Sequence, residues 1–176
     1  VAKGAMSHAP VLLLEAMDAL ALADGGVYVD ATFGGGGYSR EILSRADCQV
    51  VAFDRDPDAI ARGSELSESA KGKFTLHQGR FGDLSLEQVD GVVFDLGVSS
   101  FQLDEAERGF SFQADADLDM RMEKDGLSAA DAVNRLSEGA LADLIYRYGE
   151  DDDSRRIARA IVQARAAAPI TRTLHF

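Results

Sequence analysis

Four consecutive glycines, Gly34 to Gly37, follow an apolar run that ends at Asp30 and precede a segment with helical periodicity. A glycine-rich turn between a strand and a helix lets the backbone approach a ligand closely. The helix amino terminus behind it favours a negatively charged group. An ordinary tight turn is the alternative, but four glycines in a row favour a ligand. We therefore predict that Gly34, Gly36 and Gly37 contact a bound molecule.

The spacing of these glycines indicates which class of ligand the turn can bind. The dinucleotide fingerprint G-x-G-x-x-G requires a third glycine at Ser39 or Arg40, and a Walker A loop requires G-K-[ST]. Neither pattern is present. The pattern Asp30-x-Thr32-x-Gly34-x-Gly36 is similar instead to the first motif of S-adenosylmethionine methyltransferases. A nicotinamide-dependent oxidoreductase is accordingly the less favoured alternative.

Two more carboxylates, Asp54 and Asp95, end predicted strands. A carboxylate at the end of the second strand can accept hydrogen bonds from both hydroxyls of a ribose, although a helix cap or a salt bridge is the alternative for Asp54. The carboxyl ends of parallel strands share one edge, so Asp30, Asp54 and Asp95 should lie along it. Such a trio also suits Mg²⁺. We rank a metal lower, because Asp54 belongs to an outer strand.

Phe81, in the segment Gly79-Arg80-Phe81-Gly82-Asp83, follows the third predicted strand. Its ring can stack on an adenine or cover the edge of the core, and the sequence alone favours neither.

The periodicity predicts a parallel α/β sheet followed by helices, with a boundary near residue 105. Pro57 at the first helical position and Asp56 as its N-cap start one helix that is expected to run to about Ser69. The strands are predicted at Val27–Ala31, Gln49–Phe53, Phe74–His77 and Gly91–Phe94. The other helices are predicted at Val11–Ala23, Tyr38–Arg45, Ser128–Leu136, Ser137–Tyr148 and Ser154–Ala168.

Charge is distributed unevenly along the chain. The net charge of −12 argues against general nucleic-acid binding, because the global field repels phosphate. Residues 1–153 hold 13 Lys and Arg against 30 Asp and Glu, whereas residues 154–176 hold five Arg and no acid. We expect neither a signal peptide nor a membrane span, and the single Cys48 favours a reducing cytoplasm.

Six segments together resemble one family, that of the ribosomal RNA small-subunit methyltransferase H, also called MraW. The resemblance runs in family order along essentially the whole chain. The segments are His8–Leu13, Phe53–Asp58, Phe94–Phe112, Leu118–Met122, Tyr148–Glu150 and Ile157–Ile161.

The resemblance implies a Rossmann-like class I methyltransferase sheet with a helical insert, and methyl transfer from S-adenosylmethionine to the N4 of a cytidine in 16S rRNA of the small ribosomal subunit. Residues 1–104 would then bind the cofactor and residues 105–176 would recognise the substrate. We include a homodimer among the expected assemblies of the protein. The implied cofactor contacts are Gly36, Gly37, Tyr38, Asp54, Phe81, Asp95 and Gln102, and Asp95 is the catalytic candidate.

The sequence departs from the family at several positions. Tyr38 stands in place of His, Gly35 in place of Arg, Phe101 in place of Pro, and Ala116-Asp117 in place of Gly-Pro. The segment after Asp95 also differs from the Pro-Pro-aromatic motif of other N4 methyltransferases. Family members are longer, so we expect a truncated amino-terminal portion, with an inactive cofactor-binding fragment as the alternative.

Several residues of the second half are candidates for contact with RNA. Phe110 and Phe112 can stack on bases or anchor a loop, and Arg121 can bind phosphate or pair with a neighbouring acid. The arginines of the last predicted helix can meet phosphate or pair with the preceding acids, and the absence of acids in that helix favours RNA. These arginines are Arg155, Arg156, Arg159 and Arg165.

Overall fold

The computed structural model describes residues 10–85 and 88–175. The chain divides into two units, the first ending at Phe101 and the second beginning at Gln102. The division therefore falls slightly before the predicted boundary. In the amino-terminal motif, His8 and Ala9 lie outside the described residues.

The first unit contains a parallel sheet of four strands, namely β1 (Val27–Asp30), β2 (Gln49–Asp54), β3 (Phe74–Gln78) and β4 (Gly91–Val93). Their order is β3-β2-β1-β4. The predicted α/β class is confirmed, and every strand lies within one residue of its predicted bounds. Chain connections diverge between β1 and β4, and a crevice opens at such a switch point beyond the carboxyl ends of the strands.

Four helices belong to the first unit, namely α1 (Leu13–Leu20), α2 (Gly37–Arg45), α3 (Pro57–Arg62) and α4 (Ser64–Ser69). The predicted start of α3 is confirmed, because the Asp56 side chain accepts the Asp58 N–H at 3.0 Å. The prediction of one continuous helix to Ser69 is wrong, because Gly63 separates α3 from α4. A Cβ at Gly63 would lie 2.2 Å from Leu76 of β3, so the chain approaches the sheet there.

Helix α1 is shorter than the predicted span of 11–23. Leu12 and Ala21, which flank it, have φ angles of 53° and 48°. Both angles are left-handed, and a right-handed helix cannot continue through such residues.

The core of the first unit lies around the central strands. Tyr28, Ile42 and Val50 are buried in it, and the buried Phe33 packs on Phe74 with ring centroids 5.7 Å apart. The turn that follows β1 is therefore anchored by an aromatic side chain in the core.

A short helix, α5 (Ser100–Asp104), which the sequence did not predict, spans the division between the units. The second unit continues with α6 (Ala129–Arg135), α7 (Glu138–Gly149) and α8 (Ser154–Ala167). These three helices are predicted correctly, and Ser128 and Ser137 cap α6 and α7. Their core contains Leu118, Val133, Leu141, Ala142, Ala158, Ile161 and Ile170.

Long-range polar contacts close the second unit. The Asn134 side chain donates to the Ile170 carbonyl at 2.6 Å and accepts the Ile170 N–H at 2.9 Å. Arg172 pairs with Asp115 at 3.1 Å and with Asp117 at 2.8 Å. Among residues 10–85 and 88–175, no helix is long and apolar enough to cross a membrane.

Candidate functional site

Asp30 organises the turn that leaves β1. Its side chain is fully buried, accepts the Ser39 hydroxyl at 2.7 Å and accepts the Thr32 N–H at 3.2 Å. Ser39 lies on α2, so the carboxylate joins the end of β1 to the first turn of the following helix. Asp30 therefore connects the two ends of the glycine turn through hydrogen bonds to Thr32 and Ser39.

Burial disfavours the charged form of Asp30 and raises its pKa from 3.8 to about 6, although the bonds from Ser39 and Thr32 oppose this shift. The folded state therefore holds this proton more tightly than the unfolded chain does, and the ionised group costs about 3 kcal/mol of stability at pH 7.

We expect the stability of the wild type to rise relative to that of Asp30→Asn as the pH falls from 7 to 4.5. The reason is that the wild-type carboxyl becomes protonated below its folded pKa of about 6 and is relieved of the cost of buried charge. Urea unfolding of both proteins across this range measures the difference. A difference that stays constant with pH would contradict the assignment.

Two residues of the glycine turn have a left-handed backbone conformation, which favours glycine. Gly34 and Gly36 have φ angles of 54° and 76°. A Cβ at Gly36 would lie 2.6 Å from the ring of Phe33, and one at Gly37 would lie 2.3 Å from Pro10. The packing of the protein itself therefore requires glycine at positions 36 and 37, because Phe33 and Pro10 fill the space that a Cβ would take.

Asp54, at the end of β2, is joined directly to the glycine turn. One carboxylate oxygen accepts the Gly34 N–H at 2.7 Å, and the other accepts the Asp56 N–H at 2.8 Å. A carboxylate offers about four acceptor positions, so each oxygen keeps capacity for one further donor. The structure thus brings together two elements that the sequence singled out separately.

Asp95 follows β4 on the other side of β1, and it is exposed. Its backbone N–H donates to the Thr32 hydroxyl oxygen at 2.7 Å. The loop after β4 is therefore joined to the turn after β1. Asp30 and Asp54 end their strands, whereas Asp95 lies two residues beyond β4, at the same edge of the sheet.

Phe81 lies in a short 3-10 helix after β3, and its ring is 46% exposed. It contacts Phe94, which is 50% exposed, edge to face with centroids 5.6 Å apart. Two half-exposed aromatic rings therefore lie together in the loops that follow β3 and β4. This arrangement suits contact with a flat ring system.

Tyr38 occupies the first turn of α2, and its side chain faces the core. The ring is buried, and the hydroxyl donates to the Val11 carbonyl at 2.5 Å. The side chain is thus engaged inside the protein, and the cofactor contact predicted for Tyr38 stays a prediction for its main chain alone.

Gln102, the remaining predicted cofactor contact, belongs to the second unit, where it lies on α5 and is buried. Arg108 of the same unit is also buried, and it donates to the carbonyls of Arg121 and Met122.

Among the described residues, no group of three or more His, Cys, Asp or Glu side chains is arranged to hold a metal ion. Two of the three carboxylates that were alternative ligands for Mg²⁺ have other partners. Asp30 is buried and bonded to Ser39, and Asp54 is bonded to backbone N–H groups.

Comparison with known proteins decides the family. The model of the MraW methylase family matches residues 5–176. The chain belongs to the MraW methylase family.

Relatives called ribosomal RNA small subunit methyltransferase H are highly similar to this MraW family chain. The protein of Gluconobacter oxydans is 58% identical over 94% of this chain and 53% of its own length. That of Rhodospirillum rubrum is 54% identical over 94% of this chain and 53% of its own length. The chain thus spans about half the length of the curated relatives it matches. A solved rRNA methylase from Streptococcus thermophilus is 29% identical, with 46% of this chain and 44% of that chain covered and a TM-score of 0.37.

Gly35 and Phe101, two positions at which the sequence departs from the MraW family pattern, lie next to each other in the structure. A Cβ at Gly35 would lie 2.8 Å from the Phe101 ring. The Arg62 guanidinium lies 4.4 Å from the centre of the same ring. Phe101 thus fills the space beside Gly35, and a larger residue at position 35 would require the ring to move.

The arginines of α8 mostly have partners within the second unit. Arg156 pairs with Asp153 at 2.7 Å, Arg159 pairs with Glu138 at 3.3 Å, and Arg165 donates to the Val133 carbonyl. The structure thus shows the pairing that was the alternative for these arginines. Such exposed pairs are weak, so contact with RNA at these positions stays a prediction.

Arg121 shows the pairing that was one of its two predicted roles. It holds Asp119 through two hydrogen bonds, at 2.9 and 2.6 Å, and the guanidinium keeps the pKa of that carboxyl below its usual value.

Sequence reasoning missed the roles of Ser39 and Thr32. Both bond to Asp30, and Thr32 also bonds to the backbone of Asp95. A signal was available for Thr32, because a residue two positions after an Asp commonly donates its N–H to that side chain. Ser39 carries no comparable local signal, since nine residues and a turn separate it from Asp30.

Proposed function

We propose that this chain is the S-adenosylmethionine-binding part of a cytoplasmic rRNA methyltransferase that modifies the N4 of a cytidine in 16S rRNA of the small ribosomal subunit. Family membership and the names of the relatives support the proposal. The observation that carries it is the bond between the Asp54 carboxylate and the Gly34 N–H beside the switch point of the sheet.

The residues around Asp54 fit an adenosyl group. The carboxylate keeps one acceptor position on each oxygen for the two ribose hydroxyls. Phe81 and Phe94 offer half-exposed rings for the adenine. The amino end of α2, with Gly36 and Gly37, suits the carboxylate of the methionine part.

S-adenosylmethionine, when bound, supplies a methyl group on a positively charged sulfur. The cytidine N4 forms the new bond to carbon as the carbon–sulfur electron pair returns to sulfur, and N4 then loses a proton. N4 is a weak nucleophile, because its lone pair is delocalised into the ring. Asp95 is our candidate to accept a hydrogen bond from N4 and orient it as positive charge develops there.

The second unit is our candidate for substrate recognition. Phe112 is 82% exposed, which suits stacking on a base that is already unpaired or flipped out. Arg155 is exposed, and it makes no ion pair with a residue that the structure describes. Contact with rRNA requires a local patch of positive charge, because the net charge of −12 on the whole chain repels phosphate.

A second candidate function is cofactor binding without methyl transfer. The chain spans about half the length of its curated relatives, so groups needed for transfer can lie in the part of those proteins that it does not match.

Calorimetry and a methylation assay together distinguish these candidates. We expect binding of S-adenosylmethionine and not of NAD, and formation of N4-methylcytidine in small ribosomal subunits. We expect Asp95→Ala to lower the rate constant of transfer about 100-fold. Mass spectrometry of digested rRNA measures the product. Binding without product would favour the second candidate, and binding of NAD alone would overturn both.

A further inference from the structure

Thr32 lies where β1 and β4 separate. Asp30 of β1 is aligned with Val93 of β4, and the Ala31 N–H donates to the Val93 carbonyl at 3.0 Å. Beyond this bond one chain turns towards α2 and the other towards α5. The two turns diverge here, and this is the place where ligands of open parallel sheets bind.

Thr32 bonds to residues on both sides of this point. Its N–H donates to the Asp30 carboxylate at 3.2 Å, and its hydroxyl oxygen accepts the Asp95 N–H at 2.7 Å. Asp30 is itself fixed by the Ser39 hydroxyl at 2.7 Å in the buried core. A continuous path of hydrogen bonds therefore runs from α2 through Asp30 and Thr32 to the backbone of Asp95.

The side chains of the loop after β4 are mostly exposed. Within the described sheet, β4 has three residues and pairs only with β1. Phe94 contacts Phe81, but Phe94, Leu96 and Val98 all have exposed side chains, so burial contributes little to holding the segment. A hydrogen bond to Asp95, at the second position after β4 ends, is therefore an effective restraint on the direction of the loop.

We propose that Thr32 is a positioning residue, whose hydroxyl oxygen holds the Asp95 backbone so that the loop after β4 and the glycine turn face one ligand together. This inference rests on the proposed function, since it concerns how Asp95 is presented to S-adenosylmethionine. Thr32 acts through Asp95 and needs no contact of its own with the cofactor.

Two substitutions separate the hydroxyl from the shape of the side chain. Thr32→Val keeps the branched shape and removes the acceptor, whereas Thr32→Ser keeps the acceptor and removes a methyl group. Hydrogen exchange at backbone amides, measured by NMR, reports the bond at Asp95. The Ala31 amide, which donates to Val93, serves as the internal reference.

We expect the Asp95 amide of Thr32→Val to exchange at least about tenfold faster, with Ala31 unchanged, because only the bond to the hydroxyl is lost. Calorimetry should show S-adenosylmethionine bound about tenfold more weakly by Thr32→Val. Thr32→Ser should match the wild type in both measurements.

The inference is overturned if Asp95 exchange is unaltered in Thr32→Val, or if Asp95 and Ala31 accelerate equally, which would indicate a general loss of stability. It is also overturned if the wild type binds the cofactor and Thr32→Val binds it equally well. Failure of the wild type to bind S-adenosylmethionine would instead overturn the proposed function, while the exchange data would still report the link between the two turns.

Discussion

Asp54→Ala is expected to weaken the binding of S-adenosylmethionine about 100-fold or more. The substitution removes the acceptor for two ribose hydroxyls, and hydrogen bonds to a charged group contribute about 1.5–3 kcal/mol each. It also releases the Gly34 N–H, so the glycine turn loses its bond to β2. Isothermal calorimetry at a fixed salt concentration measures the change in affinity.

Asp90→Ala is the matched control for this loss. The Asp90 carboxylate also accepts a backbone N–H, that of Val27 at 2.7 Å, but at the amino ends of the strands. Both variants should lose comparable stability, and only Asp54→Ala should lose affinity. Equal affinity in the two variants would show that Asp54 does not bind the ribose.

The second large effect is expected for Gly36→Ala, which should lower the free energy of unfolding by about 3 kcal/mol and weaken cofactor binding. Gly36 has a φ of 76°, which costs an alanine about 1 kcal/mol. The new methyl group would also lie 2.6 Å from the Phe33 ring, and overpacking of this kind adds about 1–3 kcal/mol. Phe33 is buried against Phe74 and has little room to move. Urea denaturation measures the loss.

Gly25→Ala separates backbone strain from packing. Gly25 has a φ of 80° and no atom within 4 Å of the added Cβ, so only the cost of the left-handed conformation applies. It lies in the turn before β1, at the other end of the strand from the glycine turn. If Gly36→Ala were no more destabilising than Gly25→Ala, the packing of the turn on Phe33 would be disproved.

The strands and helix starts could be predicted because their signals are local. Apolar, β-branched runs bounded by turn residues gave all four strands. Asp56, Ser128 and Ser137 cap helices as their residue types favour. The convergence of strand ends at one edge follows from parallel topology alone, so the neighbourhood of Asp30, Asp54 and Asp95 was also predictable.

Features that depend on long-range contact could not be predicted in this way. The interruption at Gly63 lies where the chain approaches Leu76 of β3, which is thirteen positions away in sequence. The bond from Asp54 to Gly34 joins residues twenty positions apart. The Tyr38 hydroxyl likewise bonds to the carbonyl of Val11, which is 27 positions away.

The arginines of α8 show which partners a sequence count finds and which it does not. The helix itself has no acid, which favoured an external anionic partner. Folding brings Glu138 of α7 to Arg159 and leaves Asp153 next to Arg156. The sequence offered Asp153 as a partner because it directly precedes the helix. It did not reveal Glu138, which lies 21 positions from Arg159.

The central claim is that the glycine turn and the Asp54 carboxylate hold one adenosyl ligand together. A crystal structure of the chain with S-adenosylhomocysteine tests it most directly. We predict both ribose hydroxyls about 2.7 Å from the Asp54 oxygens, with the amino-acid end beside Gly36 and Gly37. A ligand bound elsewhere, or one whose ribose does not contact Asp54, would contradict the account.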